Sequence, residues 1–151
     1  MNFRILPLTF LLIAFNTFNS VAQDNGQSLI DDFFSDYENK GVEVAVDKLY
    51  KTNPWTTRIQ DAINNVKTQL SRYNEELVGK YYGHEPIVTK QLGNSYVLHS
   101  YLVRFDRQPM RFTFQFYKPD DEWRLYSFAF DDNFDDEIEE AAKMYYLDLD
   151  K

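Results

Sequence analysis

The sequence predicts an α+β fold in which helices come first and an antiparallel sheet follows. Two observations carry this. Apolar side chains recur at three- and four-residue spacing from Ser28 toward Leu77, the period of an amphipathic helix, and after Gly83 they alternate in twos among aromatic and β-branched residues, the period of a strand. The 151 residues include no cysteine but 13 Phe and 11 Tyr, so aromatic packing rather than disulfides or thiolate metal sites must hold the domain together.

The first residues read as a targeting segment. Arg4 gives a positively charged start, an apolar run extends from Ile5 to Phe15 with Pro7 and Thr9 as its only interruptions, and Ser20-Val21-Ala22 supplies a small-residue cleavage pattern. The run is shorter than the roughly 20 residues that span a bilayer. Cleavage after Ala22 is expected, giving an exported product, periplasmic or secreted, with no membrane association. Removing 22 residues leaves Gln23 to Lys151, 129 residues, a natural size for one domain. The formal net charge of −8 becomes −9 once Arg4 is lost, and that charge repels phosphate backbones, so nucleic acid is not expected as a partner.

Leu29, Ile30, Phe33, Phe34 and Tyr37 form the stripe of a first helix that Asn39-Lys40-Gly41 ends. A second follows on Val42, Ala45, Val46 and Leu49, closed by Asn53-Pro54. Thr56 or Thr57 can cap a third, with the stripe Ile59, Ala62, Ile63, Val66, Leu70 and Tyr73 running toward Leu77 before Gly79. Four strands are read over Glu85 to Leu92, Tyr96 to Phe105, Met110 to Lys118 and Trp123 to Phe130, joined by short turns into a meander. An acidic tail helix over Asp135 to Lys143 completes the chain, with Phe134, Ile138, Ala141 and Ala142 available to dock on the body.

If Phe105 faces Met110 and Lys118 faces Trp123, one sheet face collects Val97, His99, Tyr101, Val103, Phe112, Phe114, Phe116, Trp123, Leu125, Ser127 and Ala129, the face the helices should cover. The other collects Tyr96, Leu98, Ser100, Leu102, Arg104, Arg111, Thr113, Gln115, Tyr117, Arg124, Tyr126, Phe128 and Phe130. That mixture is too apolar for plain solvent and too polar for a core.

Three segments point to a family. Leu77 to Gly83, the paired runs Tyr101 to Phe105 and Phe112 to Tyr117, and the closing Glu122 to Phe128 resemble the nuclear transport factor 2-like (cystatin-like) superfamily over most of Leu29 to Phe130. The resemblance implies three N-terminal helices packed in the concave face of a curved four-stranded antiparallel sheet, a cone, with a short acidic C-terminal helix appended. The superfamily holds isomerases, dehydratases, polyketide cyclases and many non-enzymatic binding domains, so fold alone leaves function open.

Its enzymes use a buried carboxylate or an Asp-His pair inside the cone, beside tyrosines. Here the inward face offers His99, Tyr101 and Ser127 but no Asp or Glu, although Asp36 could reach inward from a helix. No complete catalytic set emerges. His99 and Tyr101 stand either as core residues satisfied by neighbours or as the polar groups of an aromatic pocket. Asp131, Asn133 and Asp135 alternate as in a calcium loop, but Asp136 and Ala142 occupy the positions where Gly and Glu are required, and the two histidines make no zinc spacing. No cofactor or metal is expected. Arg104 and Arg111, placed opposite one another, call for an anion between them, either an internal carboxylate such as Asp131, Asp132 or Asp106 or an anionic ligand. The aromatic outer face, Tyr96, Tyr117, Tyr126, Phe128 and Phe130, reads as a homodimer interface, since sheet faces serve so in this superfamily. A carbohydrate or peptide surface, or simple coverage by the tail helix, are the other readings. The leading expectation is thus a non-catalytic binding or assembly domain, and the alternative a small enzyme or carrier working inside the cone.

Overall fold

The computed structural model describes residues 25–146; the expected signal segment and its cleavage after Ala22 lie outside the described residues. Helices α1 (Gln27–Lys40) and α2 (Val42–Lys51) form on the first two stripes, and Gly41 turns the chain between them at φ 88°, a region favouring glycine. A 3-10 turn, Pro54–Arg58, follows, capped by the Asn53 side chain, which accepts from Trp55 N at 3.0 Å. Thr56 caps no helix. It is buried, and its hydroxyl lies 3.1 Å from Tyr50 O and 2.8 Å from Asn53 O, so α3 (Gln60–Leu70) begins after Ile59 without a side-chain cap.

The expected continuation of α3 to Leu77 is broken. Arg72 N bonds to Gln69 O and Tyr73 N to Leu70 O, tightening the last turn, and Asn74 then caps a new single turn, α4 (Glu75–Val78), by accepting from Leu77 N at 3.1 Å.

Strands β1 (Tyr81–Leu92), β2 (Tyr96–Phe105), β3 (Pro109–Tyr117) and β4 (Arg124–Asp131) form one curved, unclosed antiparallel sheet in sequential order, followed by α5 (Asp135–Tyr146). Helix α1 presses Phe33 and Phe34 onto one face of the sheet. Phe33 meets Phe114 and Phe128 at 5.2 Å between ring centroids, and Phe34 meets Tyr101 at 5.4 Å and Phe114 at 5.8 Å, mostly edge to face. Ile30, Ala45, Val46, Leu49, Ile63, Leu70 and Val78 close the core from the helical side.

Two register details alter the expected faces. In the β2–β3 hairpin Val103 faces Met110 and Leu102 faces Arg111, so Arg104 lies opposite Pro109 and the two arginines are not paired. The end of β2 instead stays with the opposite neighbour: Phe105 pairs with Tyr81, and Asp106 N and Arg107 N bond to Lys80 O and Val78 O. A two-residue slip preserves side-chain parity, and the inward set on β2 and β3 stands. In β4 the slip is one residue. Phe116 faces Leu125, as Lys118 facing Trp123 requires, but Gln115 faces Ser127, leaving Tyr126 as an extra residue. Beyond this bulge every side chain changes face. Phe128, expected outside, is 6 % exposed and packs among Phe33, Phe112 and Phe114; Phe130 also turns in toward Phe112; Ser127 and Ala129, expected inside, turn away.

The start of β4 is tied to the helical layer. Thr52 Oγ1 accepts from Leu125 N at 3.0 Å and Asn53 Nδ2 donates to Leu125 O at 2.9 Å, satisfying edge-strand groups that would otherwise be open. Helix α5 covers little of the body. Phe134 lies under the Arg111 guanidinium at 5.6 Å, but Ile138 is 64 % exposed and Ala141 and Ala142 are exposed as well.

Candidate functional site

Strand β2 carries His99 and Tyr101 into the interior, 1 % and 5 % exposed. His99 Nε2 sits 3.0 Å from the Asn25 carbonyl, which can only accept, so this nitrogen donates; Nδ1, 3.0 Å from Thr89 Oγ1, then accepts from that hydroxyl in the neutral ring. Tyr101 donates to Gln27 Oε1 at 2.9 Å, and burial raises its pKa. Both residues are satisfied parts of the core. Ser127, the third inward candidate, faces away from them, on the outer side of the bulge.

Asp36 is buried but belongs to the α1–α2 contact. Its Oδ1 lies 2.6 Å from Lys40 Nζ and its Oδ2 3.1 Å from Lys48 Nζ, which together hold its pKa below the ordinary carboxylate value. Lys48 also reaches Asp32 at 3.1 Å. The arrangement pins two helices and commits both Asp36 oxygens to ion pairs.

The polar interior lies elsewhere, at the end of the helical layer where α1, the α3–α4 break and the start of β1 converge. A groove of about 370 Å³ opens there, lined by Tyr37, Glu38, Gly41, Val42, Tyr73, Asn74, Glu75, Gly79, Lys80, Tyr81 and Phe105. Gly79, at φ 82°, lets the backbone pass Asp106 so closely that a Cβ there would lie 2.6 Å from the Asp106 Cβ. The rings meet as walls: Tyr37 stands at 64° to Tyr81, and Tyr81 at 60° to Phe105, with centroids 5.7 and 5.8 Å apart. Burial pushes the Tyr37 hydroxyl up to about 12, with Tyr81 nearby adding to the effect. Burial, reinforced by the charge of Glu38 and opposed by Arg104, takes Tyr81 to about 12 as well.

Behind the groove stands His84, a residue the sequence pattern does not single out. Its ring stacks on Phe34 at 3.5 Å and 8°, and its Nδ1 lies 2.9 Å from the Tyr81 hydroxyl. Burial lowers its pKa, against the opposing pull of Asp31 and Glu38. Tyr37 and Tyr73 were legible only as the last members of helical stripes, and the signal that could have found the groove is the glycine after each, Gly41 and Gly79, where the chain turns back and leaves space.

On the outer sheet face, Tyr96 donates to Gln115 Oε1 at 2.7 Å and meets Tyr126 edge to face at 5.7 Å; Tyr117 and Tyr126 are exposed, with Leu92 and Val88 extending the patch along β1. Arg111 needs no outside anion. Its guanidinium bonds to Asp131 at 2.8 and 3.1 Å and to Glu137 at 2.7 and 3.0 Å, an internal answer from the strand opposite and from α5. Arg104 donates to Tyr82 O at 3.1 Å. Among the described residues no group of three or more His, Asp and Glu is placed to hold a metal ion, and no helix is long and apolar enough to cross a membrane. No family model, curated protein or solved structure matches the chain.

Proposed function

We propose that the protein is an exported, non-catalytic binding or assembly domain of the nuclear transport factor 2-like kind, its helices seated in a cone-shaped sheet, and that it self-associates through the outer face of that sheet. The observation that carries the reading is the uncovered aromatic patch of Tyr96, Tyr117 and Tyr126 beside Leu92, which α5 leaves open. A patch of this kind on a sheet face is what contact with another protein surface would bury. The same reading is supported from inside. His99 and Tyr101 spend their polar atoms on Asn25, Thr89 and Gln27, which argues against proton transfer by either and against a ligand bound between them.

Light scattering on the chain from Gln23 to Lys151 tests the assembly. A mass of two chains that Tyr117→Arg reduces to one is expected; a monomer at all concentrations would overturn self-association and leave the face to a different partner.

A further inference from the structure

We infer that the groove between α1, α4 and β1 binds a small organic cation, an alkylammonium or quaternary ammonium group held among aromatic walls. Four rings, Tyr37, Tyr73, Tyr81 and Phe105, line it, and three of them meet in succession at steep angles. Such walls offer the negative faces of their π-systems to a positive charge, and the attraction grows as the cation loses water. An apolar ligand would also fit such walls. Charge decides between them.

Two carboxylates, Glu38 and Glu75, share the lining, and neither side chain forms a hydrogen bond or ion pair among the described residues. Glu38 is close enough for its charge to be felt at both Tyr81 and His84. Lys80 is the basic residue of the lining, one ammonium against two carboxylates, and the charge of Arg104 partly offsets that of Glu38 at Tyr81. Lys80 Nζ lies over the Tyr82 ring at 5.8 Å, and the Arg104 guanidinium is held by the Tyr82 carbonyl. The Tyr37 hydroxyl makes no hydrogen bond among the described residues and is available to accept from an ammonium N–H. A volume of about 370 Å³ suits a small ligand. A strongly acidic domain, at −8 for the full chain, concentrates cations near its surface, whereas anions are repelled from it.

The site is separate from the outer sheet face, so a dimer without amine binding or a monomer with it tells the two readings apart. The test titrates the chain with choline, and in parallel with the uncharged isostere in which carbon replaces the quaternary nitrogen, following tyrosine ring resonances by NMR. Saturable shifts confined to the groove tyrosines are expected, with choline about 5- to 30-fold tighter than the isostere and about 3-fold weaker in Glu38→Gln. Glu38 is exposed, so this variant should keep the fold; Glu75→Gln serves as a second. Equal binding of the isostere, indifference to both glutamine variants, or no saturable shift would each overturn the proposal.

Discussion

The bulge in β4 predicts opposite fates for two neighbouring aromatic residues. Phe128 is 6 % exposed, with ring centroids of Phe114, Phe33 and Phe112 at 5.0, 5.2 and 5.6 Å, whereas Tyr126 is 65 % exposed and among the described residues meets the ring of Tyr96 alone. Phe128→Ala removes a packed ring and leaves a cavity that the sheet cannot collapse, a loss of about 3–5 kcal/mol. Tyr126→Ala loses at most one edge-to-face pair, about 0.5–1.5 kcal/mol. With a urea slope of about 2 kcal/mol per molar, the first substitution lowers the unfolding midpoint by about 2 M and the second by well under 1 M. Circular dichroism measures both, at several protein concentrations so that any contribution of self-association appears as a concentration dependence. A regular strand would keep Phe128 outside and Ser127 inside. A midpoint shift under about 0.5 M for Phe128→Ala, with a larger one for Tyr126→Ala, would refute the register and everything placed by it.

Three further outcomes follow from the contacts. His84 has a folded pKa below its unfolded value of about 6.5 because of burial, so its stabilising contribution is complete above that pH and is lost as pH falls toward the folded pKa; the melting temperature should drop from pH 7.5 to 5.5 (roughly one unit either side of that value), and the drop should shrink in His84→Gln. Asn53→Ala leaves Trp55 N and Leu125 O without their partner and should cost about 1–3 kcal/mol in denaturant unfolding, with a similar sign for Thr52→Val, which strips the acceptor from Leu125 N. Glu137→Gln weakens a largely exposed pair with Arg111, so the unfolding midpoint of the body should barely move while amide exchange across α5 speeds up.

The parts of the fold that could be read in advance are those set by local periodicity. The stripe on α1 and the strand Tyr96 to Phe105 appear where the residues demand, since each repeats its period without interruption and ends at a glycine or a turn. The third helix ends short of its apolar stripe, which continues through Tyr73 to Leu77, because its polar residues do not cooperate. Asn74 satisfies Leu77 N better as a cap than as a helix interior residue, and the chain breaks there. The early start of β1 was hidden for a related reason: Gly79 to Gly83 reads as a helix stop, yet Tyr81 pairs with Phe105 and the irregularity around Gly83 is absorbed as a register shift.

The site was less legible than the fold because parity carries a face assignment only as far as the first bulge. One extra residue at Tyr126 exchanged Phe128 for Ser127 and Ala129, removing both a proposed interface residue and a proposed pocket residue at once. The groove depends on a different kind of information. Tyr37 and Tyr73 satisfy a helical stripe whether or not a cavity adjoins them, and Tyr81 satisfies a strand; their convergence follows from where Gly41 and Gly79 turn the chain, which no one-dimensional period encodes. What composition did supply was the sign of the field. In a chain with this acidic excess the lining sets Glu38 and Glu75 against Lys80 beside aromatic rings, and there charge rather than shape selects a cation over an anion.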